Sequence, residues 1–140
     1  MADGEVDLAF SFNPSEASLA IASKQLPTSV RSYVLNGGTI GNASFVAIPF
    51  NAAHKEGAMV VANLLLSPEA QARKQDAAVW GGNTVLTMNR LSPEDRLRFE
   101  SLKRGVATLP PDEMGRALPE PHPSWMTRIT EKWIERYASQ

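Results

Sequence analysis

A junction between two helices, at residues 63–71, constrains the fold of this chain more than any other stretch; it reads Asn-Leu-Leu-Leu-Ser-Pro-Glu-Ala-Gln. The apolar residues that precede it recur with helical spacing. Ser67 is placed to cap a second helix, and Pro68 suits its first position. Glu69 stands where the helix dipole favours an anion. The sequence therefore predicts two consecutive helices, over residues 53–66 and 68–77.

The composition indicates an ordinary globular chain. The 140 residues include 14 basic and 15 acidic side chains, so we expect no nucleic-acid surface. The absence of cysteine excludes disulfides and thiolate ligands from these residues. No window holds the roughly 20 apolar residues of a membrane helix, and the first residues carry no export signal. We expect a protein that is not membrane-embedded.

Three segments rich in strand-forming residues lie in the first part of the chain. They cover residues 6–12, 30–35 and 43–50. A helix is predicted over residues 17–23, with Asn13 as its cap and Pro14 in its first position. Strands that come first and helices that dominate later, with no repeat, predict the α/β or the α+β class.

Two more helices are predicted later in the chain. One starts at Ser92 and runs to about residue 103. The other covers residues 124–138, after a proline-rich loop over 109–123. Its stripe of large side chains is expected to dock the helix on a core; the stripe comprises Trp125, Ile129, Trp133 and Tyr137.

The order of these segments resembles the C-terminal part of bacterial ABC-transporter solute-binding proteins. The resemblance is carried by the segments Asp-Gly-Glu-Val-Asp (3–7), Phe-Val-Ala-Ile-Pro-Phe-Asn-Ala (45–52), Lys-Glu-Gly-Ala-Met-Val-Val-Ala-Asn-Leu-Leu-Leu (55–66) and Ser-Pro-Glu-Ala-Gln-Ala-Arg-Lys (67–74). Residues 1 to about 90 are similar to the polyamine, thiamine and iron branch. The remainder resembles uncharacterised thiamine-type members.

The resemblance implies a fragment of a type II periplasmic-binding-protein fold, with a few strands packed against several helices. About residues 1–42 would belong to the second of two lobes and the crossing strands. About residues 43–140 would return to the first lobe and the C-terminal helices. The first part of such a protein is not within these residues, so we expect a truncated portion.

The same resemblance implies the function and its partners. The parent protein would bind a small polar solute, of thiamine-like type, in the cleft between the lobes. It would deliver that solute to an ABC permease from the periplasm, without catalysis and without a cofactor or metal. The fragment alone would bind weakly and could self-associate through its exposed inter-lobe surface.

The resemblance places ligand-binding residues in three loops. The first holds Phe12, Asn13 and Ser15, at a strand end that opens a helix, where polar atoms can also serve simply as caps. The second and third contribute the remaining candidates, which are Thr39, Gly41, Asn42 and Trp80. The crossing segment around residue 41 could equally be a hairpin turn, and a single tryptophan after a helix, such as Trp80, is more often packed in a core.

Two other classes of function stay open. An effector-sensing domain of a regulator can share the fold, although no helix-turn-helix or basic surface is present. A small protein-interaction domain would use the helices from Ser92 onward as its interface. Neither His54 nor His122 has a partner at metal-ligand spacing. No nucleophile elbow surrounds any serine, so we expect no enzyme.

Overall fold

A computed structural model describes residues 3–41 and 43–138 of the chain. Within these ranges the α-helices are α1 (Glu16–Ala22), α2 (Lys55–Leu65), α3 (Pro68–Gln75), α4 (Pro93–Glu100) and α5 (Ser124–Trp133). Short 3-10 turns cover Met88–Arg90 and Pro111–Glu113, and a π-helical turn covers Ile134–Ala138. All five predicted helices are confirmed, with ends that differ by a few residues.

Two serine caps explain where α3 and α4 begin. The hydroxyl of Ser67 accepts a hydrogen bond from the backbone N–H of Ala70 at 3.2 Å, and Pro68 occupies the first position of α3. The hydroxyl of Ser92 accepts from the backbone N–H of Asp95 at 3.1 Å. Each cap satisfies an N–H group that the helix itself cannot bond. The helix junction predicted from the sequence is therefore confirmed.

The start of α1 differs from the prediction. The helix begins at Glu16, Ser15 holds the capping position without a side-chain cap bond, and Pro14 lies in the preceding turn. Asn13 Oδ1 accepts from the backbone N–H of Ser15 at 2.9 Å. This bond closes an Asx turn, which competes with helix capping for the same side-chain oxygen. The prediction that Asn13 caps this helix is therefore wrong.

A short parallel sheet is formed by β1 (Thr39–Ile40) and β2 (Ala117–Leu118). Thr39 lies opposite Ala117, and Ile40 lies opposite Leu118. The N–H of Gly41 donates to the carbonyl of Leu118 at 2.9 Å. Helices with a small parallel sheet confirm the coarse α/β class. The described residues give no support to a type II periplasmic-binding fold, because two strands of two residues each do not make the sheet that a lobe of that fold requires.

The three predicted strands, over residues 6–12, 30–35 and 43–50, are not strands in the described part of the chain. Residues 6–12 show the reason, because Phe10 and Phe12 are fully exposed. A strand is stable only when its backbone groups meet a neighbouring strand. The sequence pattern identifies residues that favour a strand but does not supply the neighbouring strand.

The packed centre of the described chain is small. Its buried hydrophobic residues are Ala72, Phe99 and Ala107, and its buried polar residues are Ser15, Ser18 and Gln71. They come from α1 and the capping residue before it, from α3 and α4, and from the loop that follows α4. These elements position the candidate functional site.

The predicted docking of the last helix on a core is wrong. Trp125, Ile129 and Trp133 are between 53% and 63% exposed, and α5 packs mainly against the π-helical turn that follows it. A stripe of apolar residues predicts that a helix can bury one face, but not which surface will cover it. None of the described helices has both the length and the apolar character needed to cross a bilayer.

Candidate functional site

The loop before α1 and the glycine turn after α3 meet through side-chain hydrogen bonds. Asn13 Nδ2 donates to the backbone carbonyl of Trp80 at 2.8 Å. Ser15 Oγ donates to the carbonyl of Gly81 at 3.0 Å, and the Ser15 side chain is buried. We call these four residues, Asn13, Ser15, Trp80 and Gly81, the α1–glycine junction. The two residues joined by each bond lie 67 and 66 positions apart in the sequence, so only tertiary folding brings them together.

The backbone of Gly81 makes this close approach possible. Its φ is +79°, a left-handed conformation that side chains disfavour. A Cβ at this position would lie 2.5 Å from Cβ of Ser15. Glycine is therefore required at residue 81 both by its backbone conformation and by the space that Ser15 leaves.

Lys74 holds the other side of the glycine turn. Its carbonyl accepts from the N–H groups of Gly81 at 3.1 Å and Gly82 at 3.2 Å. Its Nζ donates to the carbonyl of Asn83 at 2.9 Å and lies 5.5 Å from the centre of the Trp80 ring. This is a cation–π distance. The Trp80 side chain thus has a cation near its ring while 56% of the residue remains exposed.

A second serine of α1 makes a matching contact one turn further along. Ser18 Oγ lies 2.7 Å from Thr108 Oγ1 and accepts from the N–H of Ala107 at 3.1 Å. A Cβ on Gly105 would collide with the Ser18 side chain. Two serines three residues apart on one helix therefore each face a glycine of a distant loop.

Gln71 organises the segment after the glycine turn. Its Nε2 donates to the carbonyl of Leu65 at 2.7 Å. Its Oε1 accepts from Thr84 Oγ1 at 3.1 Å and from the N–H of Val85 at 3.2 Å. Sequence reasoning missed both Gln71 and Ser18. The three-residue spacing of Ser15 and Ser18, which places both on one side of the start of α1, was an available signal.

A narrow groove runs beside the α1–glycine junction. Its walls include Ser15, Gly81, Asn83, Lys103, Arg104 and Thr108. Its volume is about 30 Å³. That is room for about two water molecules, whereas pockets for small molecules usually hold roughly 300–1,000 Å³. Within the described residues, this groove is too small to enclose a metabolite.

The structure divides the seven predicted ligand residues into two groups. Asn13, Ser15 and Trp80 meet at the α1–glycine junction, and Phe12 is adjacent with its side chain fully exposed. Thr39 and Gly41 lie instead at β1, where their N–H groups pair with residues 116 and 118. Asn42, the seventh, lies outside the described residues.

A metal ion is held by a cluster of ligating side chains such as histidine, aspartate and glutamate. Across residues 3–41 and 43–138, no group of three or more such side chains comes together. The polar atoms of the α1–glycine junction are chiefly engaged with the chain's own backbone. What this arrangement does chemically is to fasten α1 to the turn after α3.

Comparison with known proteins identifies a relative but no family. The chain is 43% identical over 136 residues to Protein YnjB of Escherichia coli (strain K12). The match covers 97% of this chain and 33% of the relative, so the chain spans about a third of that protein's length. No family model matches the chain, and no solved structure matches it.

This finding corrects the family assignment made from the sequence. The resemblance to solute-binding proteins of the polyamine, thiamine and iron branch is contradicted, because the relative identified is Protein YnjB and no family model matches. The order of segments that suggested the assignment consists of short helix and strand signals. Such signals are common to many α/β chains, which is why their order misleads.

Proposed function

We propose that this chain is a non-enzymatic interaction segment, whose apolar surface is covered by further polypeptide. The observation that carries the proposal is its exposed area of 11789 Å². A folded monomer of 15.2 kDa exposes about 7,100 Å². The excess is about 4,700 Å² on this chain alone, which is more than the roughly 1,000–2,500 Å² per partner that obligate interfaces bury.

The exposed area includes large apolar side chains on two helices. On α2 the exposed residues include Met59, Val60, Val61 and Leu64, and on α5 they include the stripe that begins at Trp125. Apolar patches beyond a few hundred Å² mark interaction surfaces. Residues 57–65 of α2 carry no charge, whereas Arg128, Glu131 and Lys132 lie beside Trp125 and Ile129 on α5. The covering polypeptide should therefore be apolar against α2 and both apolar and charged against α5.

The length of the relative suggests what that polypeptide is. Protein YnjB contains two further thirds that this chain does not match. We propose that polypeptide of this kind covers α2 and α5, and we call the unmatched part of Protein YnjB the complement. A second copy of the chain is the competing occupant.

The test is co-production of the tagged 140-residue chain with the complement, followed by affinity capture and light scattering. We expect a 1:1 complex from the pair and self-association of the chain alone. The matching third of Protein YnjB serves as the positive control. The proposal fails if that control captures the complement while the 140-residue chain does not capture it and stays a monodisperse monomer.

A second candidate function is the binding of a small polar solute for delivery to a permease, in the periplasm. It is favoured by one observation, the meeting of Asn13, Ser15 and Trp80 at the α1–glycine junction. Since the groove there is small, the covering polypeptide would have to complete the site. Residues 1–42 and 43–140 would then contribute to two lobes around a cleft.

This second candidate is tested on the 1:1 complex with a panel of amino acids, sugars and vitamins in a thermal-shift assay. We expect at least one solute to raise the melting temperature. Trp80→Ala should remove that shift, because the Trp80 ring lies exposed at the α1–glycine junction and Asn13 bonds only the backbone carbonyl of that residue. An unchanged shift in Trp80→Ala, or no shift with any solute, counts against solute binding by these residues.

A further inference from the structure

Two segments outside the helices and strands have backbones without hydrogen-bond partners among the described residues. Residues 6–10 and residues 43–48 form no backbone hydrogen bond with any other part of the chain that the structure describes. Extended backbone in a folded protein is normally paired or bonded to water. Both segments lie within sequences that have a strong preference for strand structure.

The side chains of the first segment have the pattern of a half-buried strand. Val6, Leu8, Phe10 and Phe12 occupy alternate positions, and all four are exposed. In a strand, alternate residues share one face. Pairing this segment with a neighbouring strand would therefore gather four apolar side chains on one side of a sheet.

The second segment has the pattern of a strand covered on both faces. Phe45 and Ala47 alternate with Val46 and Ile48, so either face would be apolar. Phe45 and Val46 are both exposed in the described chain. Continuous apolar runs of this kind are typical of strands inside a sheet that helices cover on both sides.

The sheet that does form is incomplete for its type. β1 and β2 are parallel and only two residues long, and β1 ends just before residues 43–48. Parallel sheets occur in proteins almost only where several strands are covered on both faces. The pair of β1 and β2, followed by the exposed residues 43–47, is therefore expected to be the edge of a larger sheet.

We infer that residues 6–12 and 43–48 are strands whose neighbours are supplied by the covering polypeptide, so that β1 and β2 become part of a larger sheet. This inference rests on the proposed function and names the chemistry of its partner. The partner presents extended backbone with apolar side chains, which bonds to the free N–H and C=O groups of these segments.

Hydrogen–deuterium exchange on the complex tests the inference directly. We expect the amides of residues 6–12 and 43–48 to exchange at least tenfold more slowly in the complex with the complement than in the chain alone. A peptide from the loop after α4, over residues 101–106, contains no proline and lies outside the paired segments, so it should exchange equally in both samples.

Proline substitutions test whether the backbone N–H groups of the first segment are needed. Leu8→Pro and Ala9→Pro remove N–H groups on opposite edges of a strand. At least one of them should weaken capture of the complement about tenfold or more. Ala9→Ser, which keeps the N–H at the same exposed position, should capture it as the unmodified chain does.

The outcomes separate the inference from the proposed function. If the complex forms but neither segment gains protection, the strands are overturned while the interaction stands. Protection that appears in the chain alone and rises with its concentration assigns the strands to a second copy and overturns the inference. Failure to form any complex overturns the proposed function itself.

Discussion

Gly81 and Gly105 show how single residues determine where α1 can lie. Gly81 faces Ser15, the capping residue of α1, and Gly105 faces Ser18 within the helix. A Cβ on either glycine would collide with the serine side chain. The serine hydroxyls are hydrogen-bonded to backbone groups of the same two loops. Small residues on both sides of the contact thus allow the backbones to approach.

Gly81→Ala is expected to destabilise the chain. The left-handed backbone alone costs about 1–2 kcal/mol for a non-glycine residue, and the collision with Ser15 adds to it. Urea unfolding followed by circular dichroism measures the loss. Gly57→Ala is the matched control, because Gly57 lies in α2 with open space around it. It should raise stability by about 0.5–1 kcal/mol. Equal effects of the two substitutions would refute this account.

Ser18→Ala should lower the free energy of unfolding by about 1–3 kcal/mol, because the buried N–H of Ala107 loses its acceptor. The same urea titration measures it. Ser23→Ala is the control, since the exposed Ser23 hydroxyl donates only to the carbonyl of Ala20 in its own helix. Its effect should stay within about 0.5 kcal/mol. If Ser18→Ala lowers the free energy of unfolding by less than about 1 kcal/mol, the Ser18 contact contributes little to stability.

At the scale of elements, the helices of the described chain differ in what stabilises them. α3 and α4 are capped by serine, contact each other and contribute to the packed centre. α5 has an apolar stripe that the described chain leaves exposed, and the rings of Trp133 and Tyr137 lie 4.6 Å apart along it. One pair is therefore stabilised within the chain, whereas α5 requires a surface.

Ser67→Ala should cost about 1 kcal/mol of stability, because the first N–H groups of α3 lose their side-chain acceptor. Thermal unfolding by circular dichroism will show the change. Ser67→Asp should retain most of the stability, since a carboxylate can accept the same bond and favours the helix dipole. If Ser67→Asp is as unstable as Ser67→Ala, capping is not the role of residue 67.

Ile129→Asp should weaken capture of the complement about tenfold or more, because it places a charge in the middle of the α5 stripe. Thr127→Asp is the matched control on the opposite side of the same helix. It should leave capture unchanged. Surface plasmon resonance with the immobilised chain measures both. Identical affinities for the two variants would show that α5 is not part of the interface.

For the whole molecule, the exposed area has a thermodynamic consequence. An unfolded chain of 15.2 kDa exposes about 22,000 Å². Unfolding this chain from 11789 Å² therefore exposes about 70% of the area that unfolding an ordinary domain of its size exposes. The denaturant dependence of unfolding scales with that area.

We therefore expect the urea m value of the chain alone to be about 70% of that of a compact domain of 140 residues. Urea titrations at several protein concentrations measure it and separate the effect of self-association. Ser18→Ala should unfold at lower urea concentration with the same m value. An m value equal to that of compact domains would contradict an exposed area of 11789 Å² for the folded chain.

The sequence alone determined the local structure of this protein. The helix junction at residues 66–68 and the caps at Ser67 and Ser92 follow from backbone N–H groups that need a nearby acceptor. Those interactions span three or four residues, so a sequence pattern contains both partners. The coarse α/β class was also predicted, although both strands of the sheet lie outside the three segments that were predicted to be strands.

Only the tertiary structure decided what packs against what. It showed that Asn13 closes a turn, that Ser15 and Ser18 face glycines of distant loops, and that α5 docks on no core within the described residues. It also left the strand-like segments unpaired. Pairing and burial require a second surface that is remote in the sequence or belongs to another polypeptide, and a local pattern does not contain it.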